Sequence, residues 1–288
     1  MIRLQHLVHP ARTAKVLWQY VVHRATMPFY GYVARRKTRS IARAQRNQCW
    51  CGGELLPFRL HPEYGQCAIC SCYVARRPPL PEGLATLYSL DYWHVRQRMR
   101  GHPPIEARGD LYRIDGRLDY WLGLVAKYGP AQGRAIEIGC APGVLLAELQ
   151  RRGYECIGVE VDPGVADWIR CQVNVDVREG QFPGLQLPTC DLFLAFDVLE
   201  HIPDPEGFVR ELQCLLRPGG VAIIQTPIER HDYERPFGRR REFFDDLEHL
   251  FLFTDKSIVA LAALSGLRIV NLEDCMNGLG QVCVLSKS

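Results

Sequence analysis

GRAIEIGCAPGVLLAELQRRGYECIGVEVD, residues 133–162, decides how this chain is read. RAIEI is a short apolar-rich run that fits a buried strand ending at Gly139. PGVLLAELQRRG then fits a helix closed by Gly153, and YECIGVEVD a second strand. A strand, a glycine turn, a helix and a second strand make one unit of a parallel sheet. Outward from it, RIDGRLDYWLGLVAKYG (113–129) has helical spacing. VADWIRCQV (165–173) fits a helix, VDVREG (175–180) a strand, and CDLFLAFDVLEH (190–201) a strand with its carboxyl-end loop. EGFVRELQCLLRPGG (206–220) fits a helix stopped by Pro218, and VAIIQTP (221–227) a fifth strand. Such alternation implies an α/β, doubly wound, Rossmann-like sheet, with a ligand beyond the carboxyl ends of its strands.

Glycines 139 and 143 open the turn to a close-approaching ligand, and Glu160, 23 residues after Glu137, is placed to take ribose hydroxyls. Ala141 and Pro142 interrupt the glycine run that a pyrophosphate would want. Glu137 just before the turn repels phosphate and suits a cationic amino-acid end. This favours S-adenosylmethionine (SAM) over a dinucleotide.

The rest of the chain is organised differently. Of its 288 residues 47% are hydrophobic and 23% charged, which is enough to bury a core and excludes a disordered or fibrous chain. Residues 1–48 hold ten Arg or Lys and no acid, which leaves 25 basic against 32 acidic side chains in the remainder. The expectation is a basic arm on an acidic body. Leu4, Leu7, Val8, Ala11, Trp18, Val21, Val22 and Ala25 recur at helical steps, closed by Pro28, and ARRKTRSIARAQR (34–46) forms a second, more cationic helical piece. Such an arm packs on the body or a second subunit, lies on an anionic membrane surface, binds nucleic acid, or serves as a targeting presequence; the sequence leaves these open, nucleic acid being disfavoured. No apolar run reaches the roughly 18 residues of a spanning helix. Scattered cysteines without a secretory signal imply the cytoplasm, with peripheral contact at the inner membrane face.

CWCGGELLPFRLHPEYGQCAICSC (49–72) presents Cys49 and Cys51, then Cys67, Cys70 and Cys72 after a 15-residue gap. Two closely spaced thiolate pairs across a loop suit a tetrahedral zinc ion, here Cys49, Cys51, Cys67 and Cys70, with Cys72 a substitute ligand. Four thiolates leave no open position, so the zinc would be structural. A redox thiol group and unliganded buried cysteines are the alternatives.

EIGCAPG, GVEVD, DLFLAFDVLEHIPDP, LLRPGGVAIIQTP and DLEHLFLFTDKSIVALAALSGLRIV occur in the order found in class I SAM-dependent methyltransferases. Over roughly 85–288, LYSLDYW included, the chain resembles the bacterial group that methylates sugars, glycan intermediates or similar hydroxylated metabolites. The resemblance implies a seven-stranded sheet and assigns SAM to Glu137, Gly139, Gly143, Glu160, Gln181, Phe182 and Asp197, the last facing the methionine end. Gln181 stands where the family often has an acid, and Ala141 replaces a usual glycine. His201 and His249 stand at the acceptor pocket, either as general base for a hydroxyl or as a structural histidine. Arg239, Arg240 and Arg241 fall in the lid stretch 229–244, to grip an anionic acceptor or remain solvated. The expected organisation is an arm at 1–48, a zinc ribbon at 49–78, a linker or helical lid at 79–113 and a SAM-dependent O-methyltransferase domain at 114–288, the metal and SAM sites independent. RNA or protein methylation, and a non-catalytic scaffold, are the alternatives. An oligomer fits as well as a monomer.

Overall fold

The computed structural model describes residues 26–88, 92–229, 244–275 and 280–288. The first helix read in the arm and Arg239, Arg240 and Arg241 lie outside these residues. The chain is helical over 26–38 (α1), so Pro28 lies within helix instead of closing one. The helix expected over 34–46 stops at 38. Beyond it Arg43 pairs with Asp246 at 2.5 Å and bridges to Pro79, and Arg46 lies over the Phe251 ring, which draws 41–48 out along the body.

The large sheet has seven strands in the order β6–β5–β4–β7–β8–β11–β10. These are β4 Arg134–Ile138, β5 Glu155–Glu160, β6 Asp176–Glu179, β7 Cys190–Phe196, β8 Leu216–Pro227, β10 Arg268–Cys275 and β11 Gly280–Ser286. Strands β4 to β8 run parallel, and β11 returns antiparallel between β8 and β10. The alternation along each strand splits the core. Ile136, Ile157, Phe193 and Ile224 face Phe208 and Leu212 of α8 (Pro205–Leu215) and Leu261 of α9 (Asp255–Leu264). Ala135, Leu192, Leu194 and Val282 face Trp121 of α5 (Arg117–Tyr128), Leu145 of α6 (Val144–Arg151) and Ile169 of α7 (Pro163–Val173). Strand order reverses at β4, between β5 and β7, so the switch-point crevice opens at the β4–α6 turn.

A second sheet, β1–β2–β3–β9, joins the cysteine-rich segment to the body. Strands β1 (Leu55–Pro57), β2 (Tyr64–Cys67) and β3 (Tyr73–Ala75) form an antiparallel ribbon, and β9 (Phe251–Leu252) pairs onto β3 as Tyr73↔Leu252 and Val74↔Phe251. Cys49, Leu55, Cys67 and Val74 share one buried cluster with Ile136, Phe193 and Phe253. The cysteine-rich segment expected over 49–78 thus shares a buried cluster with the large sheet. Residues 79–113, expected as a linker or helical lid, are largely helical. They hold α2 (Pro81–Leu87), a π-turn over Tyr92–Arg96 running into α3 (Gln97–Met99), and α4 (Ile105–Ile114). A Cβ on Gly109 of α4 would meet Val144 at 2.6 Å, which seats α4 on the glycine turn.

Candidate functional site

The turn after β4 is built for close approach. Gly139 is exposed at φ +66°, and a Cβ there would lie 2.7 Å from Val198, so only glycine fits. Its N–H donates to the Val159 carbonyl at 2.9 Å, tying the turn to β5. Glu160 ends β5, 8% exposed, with Oε1 accepting from the Val161 N–H at 2.9 Å. Burial raises its carboxyl to about 7, opposed by backbone N–H donors at Val161, Asp162 and Ala141. Glu137 lies 6% exposed in β4, and its Oε2 is buried without a hydrogen-bond partner. Burial, then the like charge of Glu160, holds that carboxyl well above its usual range. An orphaned acid beside a glycine turn fits a cationic ligand, and a second acid at the end of the next strand fits a diol. These are the two needs of SAM.

Asp197 follows β7 with a left-handed φ of +56°, rare for a side-chain-bearing residue. The conformation is held on both sides. Its N–H donates to the Gln225 carbonyl at 2.9 Å, and Gln225 Nε2 donates to Asp197 Oδ1 at 2.9 Å. Trp121 Nε1 donates in turn to Gln225 Oε1 at 3.2 Å. Burial raises the Asp197 carboxyl, while the Arg117 and Arg108 charges oppose the rise. An acid opposite two guanidinium groups matches the ammonium and carboxylate of an amino-acid end. Sequence reading missed Gln225, Arg117 and Arg108, because nothing local marks a glutamine in a buried strand or an arginine opening a helix as facing a ligand.

One turn beyond Asp197, the 3-10 turn Leu199–His201 meets the segment before β9. The His201 and His249 rings lie 4.9 Å apart, and donor atoms of Glu200, His201 and His249 fall within 4.8 Å of one another. His201 Nδ1 is 2.8 Å from the Glu248 carbonyl, which can only accept, so Nδ1 carries the proton and Nε2 the lone pair. The Tyr88 hydroxyl lies 2.8 Å from Nδ1 and donates to the same carbonyl at 3.2 Å. Burial, then the neighbouring His249, lowers His201 to about 3, so it stays neutral. Glu200 is 1% exposed, accepts from the Thr226 hydroxyl at 3.0 Å, and is pushed well up by burial and Asp197. Arg96 and Arg100 grip Asp245 and Glu248 from the other side.

The thiols of Cys49 and Cys70 are 3.6 Å apart and those of Cys51 and Cys67 3.4 Å, all four within 4.8 Å. A tetrahedral zinc with 2.3 Å bonds needs sulfurs about 3.8 Å apart, so the set fits the ion. Cys67 Sγ accepts from the Ile69 and Cys70 N–H groups, each at 3.4 Å, as a ligand thiolate would. Cys72 stands outside the four-thiol group, its thiol donating to the Leu252 carbonyl at 3.4 Å.

Two of the residues assigned to SAM also pack the interior. Phe182 is 2% exposed, its ring 5.5 Å from Phe193 and 5.1 Å from Phe208, so it fills the core beneath α8. Gly143, at φ +82°, would drive a Cβ to 2.7 Å from Ile169 and 3.0 Å from Val173, so its lack of a side chain lets α6 and α7 pack. Gln181 is exposed after β6, on a loop held at Gly180 by the Glu160 carbonyl.

A family described as "Methyltransferase domain" matches residues 111–272. A ubiquinone biosynthesis O-methyltransferase of Xanthomonas axonopodis pv. citri is 30% identical over 118 residues, 38% of this chain and 48% of that protein. The chain thus spans about half the length of that curated relative. A probable S-adenosylmethionine-dependent methyltransferase of Mycolicibacterium smegmatis is 37% identical over 98 residues, 32% of this chain and 37% of that one. Among solved structures, human N-acetylserotonin methyltransferase in complex with SAM superposes with a TM-score of 0.56 at 16% identity, covering 73% of this chain and 60% of that one. That likeness is one of fold.

Proposed function

The chain belongs to the class I SAM-dependent methyltransferase family, and from that membership we propose that it transfers a methyl group from SAM to a hydroxyl of a sugar, glycan intermediate or similar small metabolite. The observation that carries this reading is the acid-flanked glycine turn, with exposed Gly139 between buried Glu137 and Glu160. Bound SAM supplies an electrophilic methyl on a sulfonium. Glu160 holds the ribose diol, Asp197 with Arg117 and Arg108 holds the zwitterionic amino-acid end, and Glu137 faces the cationic part. Methyl transfer is an in-line displacement, so alignment provides most of the acceleration.

On the acceptor side His249 takes the hydroxyl proton. His201, held near 3 by burial and the neighbouring His249, has little drive to accept a proton at neutral pH. It orients the Glu248–His249 backbone instead. Zinc at Cys49, Cys51, Cys67 and Cys70 is structural. No described helix is long and apolar enough to cross a membrane.

The test is transfer of label from methyl-labelled SAM to separated glycan, lipid-linked sugar, small-metabolite, RNA and protein fractions. Label in glycan, sugar or metabolite supports the reading. Label confined to RNA or protein overturns the acceptor class, and absence of SAM binding by calorimetry overturns the enzyme.

A further inference from the structure

The segment that carries His249 is held from two sides. On the methyltransferase side, the Glu248 carbonyl accepts from His201 Nδ1 and Tyr88, and the Leu250 N–H donates to the Glu200 carbonyl at 2.8 Å. On the ribbon side, the Tyr64 hydroxyl donates to the His249 carbonyl at 2.7 Å, and the Ala75 N–H donates to the Leu250 carbonyl at 3.0 Å. Three successive carbonyls, 248 to 250, are thus fixed by groups from both domains. The attachment continues outward through the β3–β9 pairing, the Cys72 thiol on the Leu252 carbonyl and the Thr254 hydroxyl on the Cys70 carbonyl at 3.5 Å. At the other end, the Phe244 ring stacks on His61 at 3.9 Å and 5°, and meets Tyr64 edge-on at 5.0 Å.

Tyr64 is fully buried and lies three residues before Cys67, on the strand that ends at that cysteine. The residues that place its hydroxyl are those the four-thiol site organises. A backbone displacement of 1 Å at a reacting group costs about 10² in rate, whereas SAM's ligands on β5 and the β4–α6 turn are set by their own backbone contacts.

We propose that the ribbon is a working part of the transfer site: Tyr64 is a positioning residue that sets His249 through its carbonyl, so ribbon integrity governs methyl transfer and leaves SAM affinity unchanged. This rests on the assignment of His249 as the base. It reverses the independence of the two sites expected from sequence.

The experiment uses full-length, zinc-loaded protein with isotope-labelled histidine, the His249 imidazole signal assigned with His249→Asn. Tyr64→Phe removes the hydroxyl and keeps the ring. The expected result is a shifted or split His249 signal with that of half-buried His94 unchanged, zinc content as in wild type, and a SAM dissociation constant within about twofold. Label transfer to the accepting fraction falls about tenfold or more. Chelation of wild-type protein reproduces the His249 change at constant SAM affinity. An unmoved His249 signal in Tyr64→Phe overturns the proposal, as does a SAM affinity that falls in step with transfer. Failure of the base assignment is separately visible as normal transfer by His249→Ala.

Discussion

Glu160 makes SAM affinity depend on pH in a direction that the structure fixes. Burial lifts its carboxyl from an ordinary value near 4.5 to about 7 in the unliganded protein. Ribose hydroxyls donating to the carboxylate favour its charged form, so binding pulls the pKa back down and releases a proton. Below the bound-state pKa both forms are protonated and affinity is flat; between the two pKa values it rises tenfold per pH unit, and above about 7 it is flat again. A depression of one to two units makes SAM bind about ten- to a hundredfold more tightly at pH 8 than at pH 5. The unliganded stability runs the other way: a carboxyl raised on folding contributes stability below 4.5 that is lost as pH climbs to about 7. The SAM-induced rise in Tm is therefore larger at pH 8 than at pH 5.5. Calorimetry at pH 7 in two buffers of different ionisation heat reads the released proton directly. Glu160→Gln should abolish the slope and weaken SAM at pH 8 by about 1–3 kcal/mol. A wild-type affinity flat from pH 5 to 8, or an unchanged slope in the glutamine variant, refutes the ribose assignment.

Freshly reduced protein should hold about one zinc per chain, with Cys49→Ser losing it and Cys72→Ser keeping it; metal analysis by mass spectrometry decides, and zinc retained by Cys49→Ser sinks the ligand set. Gly139→Val places a β-branched residue at φ +66° against Val198, so SAM binding should drop by tenfold or more and Tm should fall; normal calorimetric affinity would remove the turn from the site. His249→Ala should reduce label transfer about 10² while SAM affinity holds, and His201→Ala should reduce it less; the reverse order would exchange their roles. His102 is lowered to about 3 by burial, then Arg108, so its neutral form contributes stability above pH 6.5 that is lost as pH falls toward 3; His102→Gln should flatten the acid limb of a Tm-against-pH curve.

The sheet was legible because each of its signals is local. A strand as short as RAIEI, a glycine turn and an apolar helix succeed one another within 30 residues, and parallel pairing follows from the crossover that the helix forces. The places of Gly139 and Glu160 were legible for the same reason, each sitting at the end of a strand whose end the sequence marks. Phe182 shows where that reasoning stops. An aromatic after β6 looks the same in sequence whether its ring faces a ligand or the core, and only the presence of Phe193 and Phe208 decides. Gly143 has a part that is hidden in the same way: positive φ explains the glycine, but the neighbours that forbid a Cβ are Ile169 and Val173, 26 and 30 residues on.

The ribbon carries the larger lesson about reading domains from motifs. Its cysteine spacing marks a candidate metal site, Cys49 to Cys70, within 22 residues, and a site that would close its own coordination sphere looks self-sufficient. Strand pairing is not self-sufficient. β3 needs a second neighbour, and the one it takes, β9, lies some 180 residues away on the segment bearing His249. A long-range pairing of two residues leaves no periodic trace, because Phe251 and Leu252 are apolar for the core in any case. Tyr64 marks the same join from the ribbon's side: a fully buried tyrosine needs an acceptor for its hydroxyl. The acceptor it takes lies outside the ribbon's own strands, on the carbonyl of His249.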